Sequence, residues 1–239
     1  MDEIKPEELT QLIASVQKSP KYAHIAPSLV ERIAREELQK RSNFAESVKA
    51  VRSRLHQLTG AYLPAKVDYA QWGALFRDPA QDKHELCQRI LHLHASNAER
   101  LPFLKDFYAT CLASISPVHS ILDLACGLNP LALPWMPLAE DCTYLACDVL
   151  QPMIDFLNAF FESYCINGQA FACDLTSCIP DHRVQVAFFL KTFPLLDQID
   201  KTLSRRLLEG IHAEHILVSY PAKSLGGRSK GMPANYTSA

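Results

Sequence analysis

With 239 residues, 48% of them apolar, and a formal charge of -2, the chain can bury one good core, or a core with a smaller satellite, and has the balance of an ordinary soluble protein. The polar, acidic start MDEIKPEELT argues against an export signal and no apolar run approaches a membrane span, so a cytoplasmic protein is expected. Eight cysteines without a C-x-x-C pair are expected as reduced thiols, several buried in strands, and they leave no zinc site.

The N-terminal half reads as helices. Leu9, Leu12, Ile13 and Val16 follow helical spacing, with Pro6 at the first helical position. Val30, Ile33, Ala34 and Leu38 predict a second helix after Pro27, and Val48, Val51, Leu55 and Leu58 a third that ends at Gly60. On the third helix Lys49, Arg52 and His56 share a face away from the core; a merely solvated face is the alternative. They lie in a basic stretch, residues 18–56, with nine Lys+Arg and four acids. Residues 61–81 are ambiguous, with a short helix near Trp72, and another helix runs through Leu86, Ile90 and Leu93. His94 reads as a helix-end or core histidine. Ser96 and Glu99 form S-x-x-E, a capping box that starts a helix, and Pro102 kinks or restarts it.

From about Ser120 strands and helices alternate. The predicted strands are Ile121–Cys126, Thr143–Val149, Gln169–Leu175, Val184–Lys191 and His215–Tyr220, with helical connections at Pro152–Tyr164 and Asp197–Gly210. Crossovers of this length pair strands in parallel with right-handed connections, which predicts an α/β, doubly wound sheet behind a helical N-terminal domain. Residues 1–115 carry 16 Lys+Arg against 14 Asp+Glu, and residues 116–239 carry 8 against 12. Beyond Glu214 there is no acid, yet Lys223, Arg228 and Lys230 fall close together in a Gly-rich loop suited to phosphate, with a plain linker as the alternative. Two local basic stretches on a mildly acidic chain suit a polyanion held at a specific place.

The first predicted strand runs into the turn ILDLACGLNPLAL, residues 121–133. Gly127 lets backbone approach a ligand, Asp148 ends the second strand 21 residues later, and Asp174 ends the third. A carboxylate in the place of Asp148 accepts hydrogen bonds from ribose hydroxyls, so an adenosine-bearing cofactor is expected; a structural turn with both acids as caps is the alternative. A pyrophosphate needs the glycines of G-x-G-x-x-G, whereas here Pro130 even removes a donor. That makes an NAD-dependent oxidoreductase the weakest reading and favours S-adenosyl-L-methionine (SAM), which carries no phosphate. Lys191, at the end of an apolar strand, reads as placed for a ligand, with snorkelling to solvent as the alternative.

Residues 123–133 of that turn resemble the aminoglycoside-resistance 16S rRNA (guanine(1405)-N(7))-methyltransferases of the Arm/Rmt type. RLHQLTGAY at 54–62, LHLHASNAER at 91–100, FFLKTFPLLD at 188–197 and VSYPAKSLGGRSKGMPANY at 218–236 extend the resemblance, which runs from SPKYAHIAPSLVERI onward. The resemblance implies a doubly wound, mostly parallel Rossmann-like SAM methyltransferase sheet in residues 116–239 and a helical rRNA-binding domain in residues 1–115. It implies SAM held by His94, Arg100, Ala125, Gly127, Asp148, Asp174 and Leu175, with Arg100 on the methionine carboxylate, and Lys191 facing the target base or cofactor pocket. It implies 16S rRNA of the 30S subunit as partner, contacted by Lys49, Arg52, Arg54, His56, Lys223, Arg228, Lys230 and Met232, and a monomer with no metal and no membrane contact. Position 97 is Asn where the family usually has Thr.

Guanine N7 carries a lone pair and no proton, so no general base is expected; alignment and electrostatics suffice. The chain has no Asn/Asp-Pro-Pro-aromatic segment for exocyclic amines and no Pro-Cys nucleophile for pyrimidine C5. Phe193, Tyr220 and Met232 are candidates to receive a flipped base, each also readable as a packing residue. The family continues through two further strands where this chain stops at Ala239, so a five-stranded sheet with an unpaired edge near Val218 is expected. A shortened relative that binds SAM and rRNA with impaired catalysis is the alternative function.

Overall fold

The computed structural model of the chain describes residues 4–60 and 67–221. Three helices open it: α1 (Pro6–Gln17), α2 (Pro27–Lys40) and α3 (Phe44–Leu55). Proline sits in the first turn of α1 and of α2, and Asn43 caps α3 by accepting from the N–H groups of Ala45 (2.9 Å) and Glu46 (3.2 Å). Their apolar faces close on one another through Leu12, Val16, Val30, Ile33, Val51 and Leu55. The third helix differs from expectation at its end. Its α-helical part stops at Leu55, and one π turn, His56–Gly60, follows. Widened turns of this kind concentrate at functional sites.

Helices α4 (Tyr69–Arg77) and α5 (Lys83–Leu93) begin at Asp68 and Asp82, whose carboxylates accept from the N–H of Gln71 and of Glu85. The single turn α6 (Ala95–Ala98) and then α7 (Leu104–Leu112) lead into the sheet. Strands β1 (Ser120–Leu124), β2 (Thr143–Asp148), β3 (Gly168–Ala172), β4 (Val184–Leu190) and β5 (Ala213–Ser219) are all parallel, in the order β3-β2-β1-β4-β5. The α/β doubly wound architecture is therefore as expected. Central strands are apolar on both faces because helices cover both. Ile121, Val186 and Phe188 face the layer of α4 and α8 (Gln151–Ser163), where Phe76 and Phe160 stack edge-on at 5.3 Å. Leu122, Leu124, Ala187 and Phe189 face the other side, with Phe193, Leu203 and Leu207.

The helix expected over Asp197–Gly210 starts only at Leu203, as α10 (Leu203–Gly210), and a separate turn, α9 (Phe193–Leu196), ends before that span. Asp200 breaks it: its carboxylate accepts from the N–H (2.9 Å) and hydroxyl (2.8 Å) of Thr202, a local turn that competes with helix. Strand β5 forms the edge of the described sheet, with Glu214, His215 and Ile216 exposed. Among the described residues no helix is long and apolar enough to cross a membrane, and no cluster of side chains could hold a metal ion.

Candidate functional site

The chain runs outward from β1 to β2 and β3, then crosses to β4, so the direction of winding switches between β1 and β4. Parallel sheets bind ligands beyond the carboxyl ends of their strands at such a switch. A cleft opens there with about 1030 Å³ of space, solvent at its mouth included. Three residues of its floor hold left-handed backbone: Ala125 (φ 51°), Gly127 (φ 53°) and Lys191 (φ 63°). Two of them are not glycine, and strain of this kind is retained where the surroundings over-determine it, often at binding sites. At Gly127 a Cβ would also lie 3.2 Å from Nε2 of His94, so the bare turn is what lets His94 close over it. The segment after Gly127 enters a 3-10 helix, Asn129–Trp135, and presents no long helix N-terminus of the kind that receives a pyrophosphate.

Asp148 ends β2 at the cleft wall. Its carboxylate accepts from the N–H of Gly127 (2.9 Å) and of Val149 (2.7 Å). Burial raises its pKa, and the N–H groups of Gly127, Val149 and Leu150 oppose that rise. An acceptor pinned by main-chain donors beside a bare turn suits a pair of ligand hydroxyls.

Opposite lies Arg100, buried between α6 and α7. Its Nη2 donates to Oδ1 of Asn97 (2.6 Å) and of Asn129 (3.0 Å). Asn129 also takes the Tyr108 hydroxyl (2.6 Å) and donates to Oδ2 of Asp123 (2.8 Å), which accepts from the Tyr144 hydroxyl at 2.7 Å. This network orients one edge of the guanidinium. The Nε and Nη1 atoms are buried with no hydrogen-bond partner among the described residues. Arg100 borders the cleft, and its unspent donors suit an anionic group such as a carboxylate. Asp123, the acid inside β1, is pushed up to about 7 by burial, against the hydrogen bonds of Asn129 and Tyr144. His94 is drawn down to about 4, first by burial and then by the charges of Arg100 and Lys191, so it is neutral at pH 7.

The capping-box reading of Ser96 and Glu99 is corrected. His94 occupies the N-cap position of α6, Ser96 lies inside the turn, and Glu99 instead pairs with the ammonium of Lys191 across the cleft mouth. Burial lowers the Lys191 pKa and Glu99 opposes that shift. Beyond β3, Asp174 and Leu175 line the far end of the cleft, under Leu29 of α2 and Leu58 of the π turn. Every residue expected at the cofactor, namely His94, Arg100, Ala125, Gly127, Asp148, Asp174, Leu175, and Lys191, therefore borders one cleft.

The basic residues expected at the polyanion are less uniform. Lys49 and His56 are exposed, and His56 Nδ1 lies 2.8 Å from Lys21 Nζ. Arg52 donates to the main-chain oxygen of Ser15 (2.7 Å), so the shared outer face is partly spent on packing α1 to α3. Arg54, an rRNA contact by the resemblance, is turned to Glu36 (2.6 Å) and Glu37 (3.0 Å). Lys223, Arg228, Lys230 and Met232 lie outside the described residues. Phe193 is buried against Phe189 (4.7 Å) and is a packing residue, whereas Tyr220 is exposed beside it. Sequence reading missed Asn97, Tyr108, Asn129 and Glu99. Only Asp123, an acid within an apolar run, signalled that a buried polar network existed.

Comparison with known proteins agrees in fold and sequence. Residues 18–239 match the family model described as ribosomal RNA methyltransferase (FmrO). A 16S rRNA (guanine(1405)-N(7))-methyltransferase of Micromonospora rosea is 33% identical over 238 residues, covering 96% of this chain and 86% of the relative. The crystal structure of the 16S rRNA methyltransferase RmtF in complex with S-adenosyl-L-homocysteine superposes with a TM-score of 0.83 at 28% identity, covering 100% of this chain and 88% of that one. The 16S rRNA methylase RmtB gives a TM-score of 0.79 at 28% identity, covering 91% and 86%.

Proposed function

Because this chain belongs to the ribosomal RNA methyltransferase (FmrO) family, we propose that it methylates N7 of guanine 1405 in the decoding site of 16S rRNA, in the assembled 30S subunit, and so confers aminoglycoside resistance. The observation that carries this reading is Arg100: a buried guanidinium bordering the cleft, oriented by Asn97 and Asn129, with Nε and Nη1 unpartnered among the described residues. It fits the carboxylate of SAM, as Asp148 fits the ribose and Asp174 with Leu175 the adenine. Gly127 leaves room for the amino acid portion, with Ala125 and His94 beside it. When bound, SAM supplies an electrophilic methyl carbon on a sulfonium.

The protein's part is to orient. Arg100 would hold the cofactor's carboxylate and Asp148 its ribose, and neutral His94 closes the turn without adding to the charges of Arg100 and Lys191. No residue acts as base, because N7 carries no proton to remove. Lys191, held by Glu99 at the mouth, positions the incoming base. Residues 116–239 form the transferase part and residues 1–115 the rRNA-binding part, from which His94 and Arg100 reach into the cleft. Lys21 and Lys49, with the exposed His56 imidazole beside Lys21, give a basic patch for rRNA phosphates. The reading also places the protein in the cytoplasm, acting as a monomer.

The test is transfer of tritiated methyl from SAM to isolated 30S subunits, followed by mapping of the modified nucleotide. Label at N7 of guanine 1405 is expected. Binding of S-adenosyl-L-homocysteine without incorporation would reject catalysis by this chain.

A further inference from the structure

The far end of the cleft is not built by the sheet alone. The start of α2 is clipped to the two residues that follow Asp148: the Ala26 N–H donates to the Val149 oxygen (2.8 Å), and Ile25 bridges to Leu150. The Gln151 N–H returns the contact to the His24 oxygen (3.1 Å). One turn along α2, Leu29 and Arg32 are spaced i, i+3 and share a face. Leu29 covers the cleft, and Nε of Arg32 stands 3.7 Å from Oδ2 of Asp174.

Asp174 is otherwise tied down locally. Its Oδ1 accepts from the N–H (3.0 Å) and hydroxyl (2.5 Å) of Thr176, and its Oδ2 takes the Ser177 hydroxyl at 3.2 Å. Arg32 is the cation from outside this turn. Its Nη1 donates to Glu36 (2.8 Å), and Glu36 in turn holds Arg54 of α3 (2.6 Å). The Nε and Nη2 atoms of Arg32 are buried without a hydrogen-bond partner among the described residues. Resting on the cofactor assignment above, we infer that Arg32 is a positioning residue that fixes Asp174 for the adenine, making the N-terminal helices part of the cofactor grip. One ion-pair chain, Asp174–Arg32–Glu36–Arg54, then runs from the cofactor cleft into α2 and α3.

Calorimetry of the full chain with S-adenosyl-L-homocysteine tests this. Arg32→Gln should weaken binding about tenfold, whereas Arg35→Gln, which removes the same charge from the exposed face of α2, should bind as the parent does. In an Asp174→Asn background Arg32→Gln should cost nothing further. Parent-like affinity of R32Q, or losses that simply add in the double variant, would overturn the inference. Arg32→Met, which keeps the stem packing, is read by the same criteria if R32Q does not fold. Absence of binding by the parent chain itself would reject the cofactor assignment, and the role of Arg32 with it.

Discussion

His94 and Gly127 touch, and each side of the contact has a measurable consequence. Gly127→Ala would place a methyl 3.2 Å from the imidazole on a backbone at φ +53°. Left-handed strain alone costs about 1–2 kcal/mol. The variant should fold with a Tm several degrees lower, and it should bind S-adenosyl-L-homocysteine less tightly because His94 must move; calorimetry and a melting curve check the two effects separately. The imidazole has its own signature. Its value is near 4 when folded and 6.5 when exposed, so below pH 6.5 the unfolded chain takes up a proton that the native one refuses. Stability from the neutral ring is complete above pH 6.5 and is lost as pH falls toward 4. At pH 5 the loss is about 2 kcal/mol, since each pH unit in that window is worth about 1.4 kcal/mol. Between pH 7.5 and pH 5 the urea midpoint of the parent should therefore fall further than that of His94→Asn. Parallel falls would show that the ring is not held neutral.

Elements are held by apolar layers, one of them between α4 and α8. Phe160 is fully buried there, with ring centres 5.3 Å from Phe76 and 4.9 Å from Tyr164. Phe160→Ala should cost about 3–5 kcal/mol in urea unfolding. The strands leave a mark that sequence reading can follow: buried runs such as Val184–Leu190 separated by crossovers permit little besides a parallel sheet. The first turns of α1 and α2 were likewise visible, through Pro6 and Pro27. What stayed hidden depends on partners distant in the chain. Glu99 sits in a plausible capping pattern, yet its ion-pair partner is Lys191, 92 residues away. Asn129 reads as a turn residue, yet it orients Arg100 from 29 positions downstream. The break between α9 and α10 is local but depends on one aspartate outcompeting the helix for the N–H of Thr202.

At the scale of the whole molecule, charge is divided between holding the N-terminal helices together and meeting a polyanion. Ala125, Gly127, Asp148, Asp174 and Lys191 were legible because they follow or end strands, which topology brings together whatever the intervening sequence, whereas His94 and Arg100 precede the sheet and came from the resemblance. The basic stretch was legible only as a composition, since spacing alone cannot say which cations are already taken. Lys49 is exposed, whereas Arg54 is three-quarters buried, at 22% side-chain exposure, and shares Glu37 with Arg41. Their removal should separate accordingly. Lys49→Ala should leave the Tm unchanged, weaken binding to 30S subunits, and lower the dependence of log affinity on log salt by about one, the mark of a lost phosphate contact. Arg54→Ala should instead lower stability by about 2 kcal/mol, because a charge-assisted bond to a buried carboxylate is lost. Its salt slope should match that of the parent at temperatures where both are folded. A reduced slope for Arg54→Ala with unchanged stability would mean that the guanidinium leaves Glu36 and Glu37 for rRNA, and the N-terminal helices would then open on the subunit rather than dock as a rigid body.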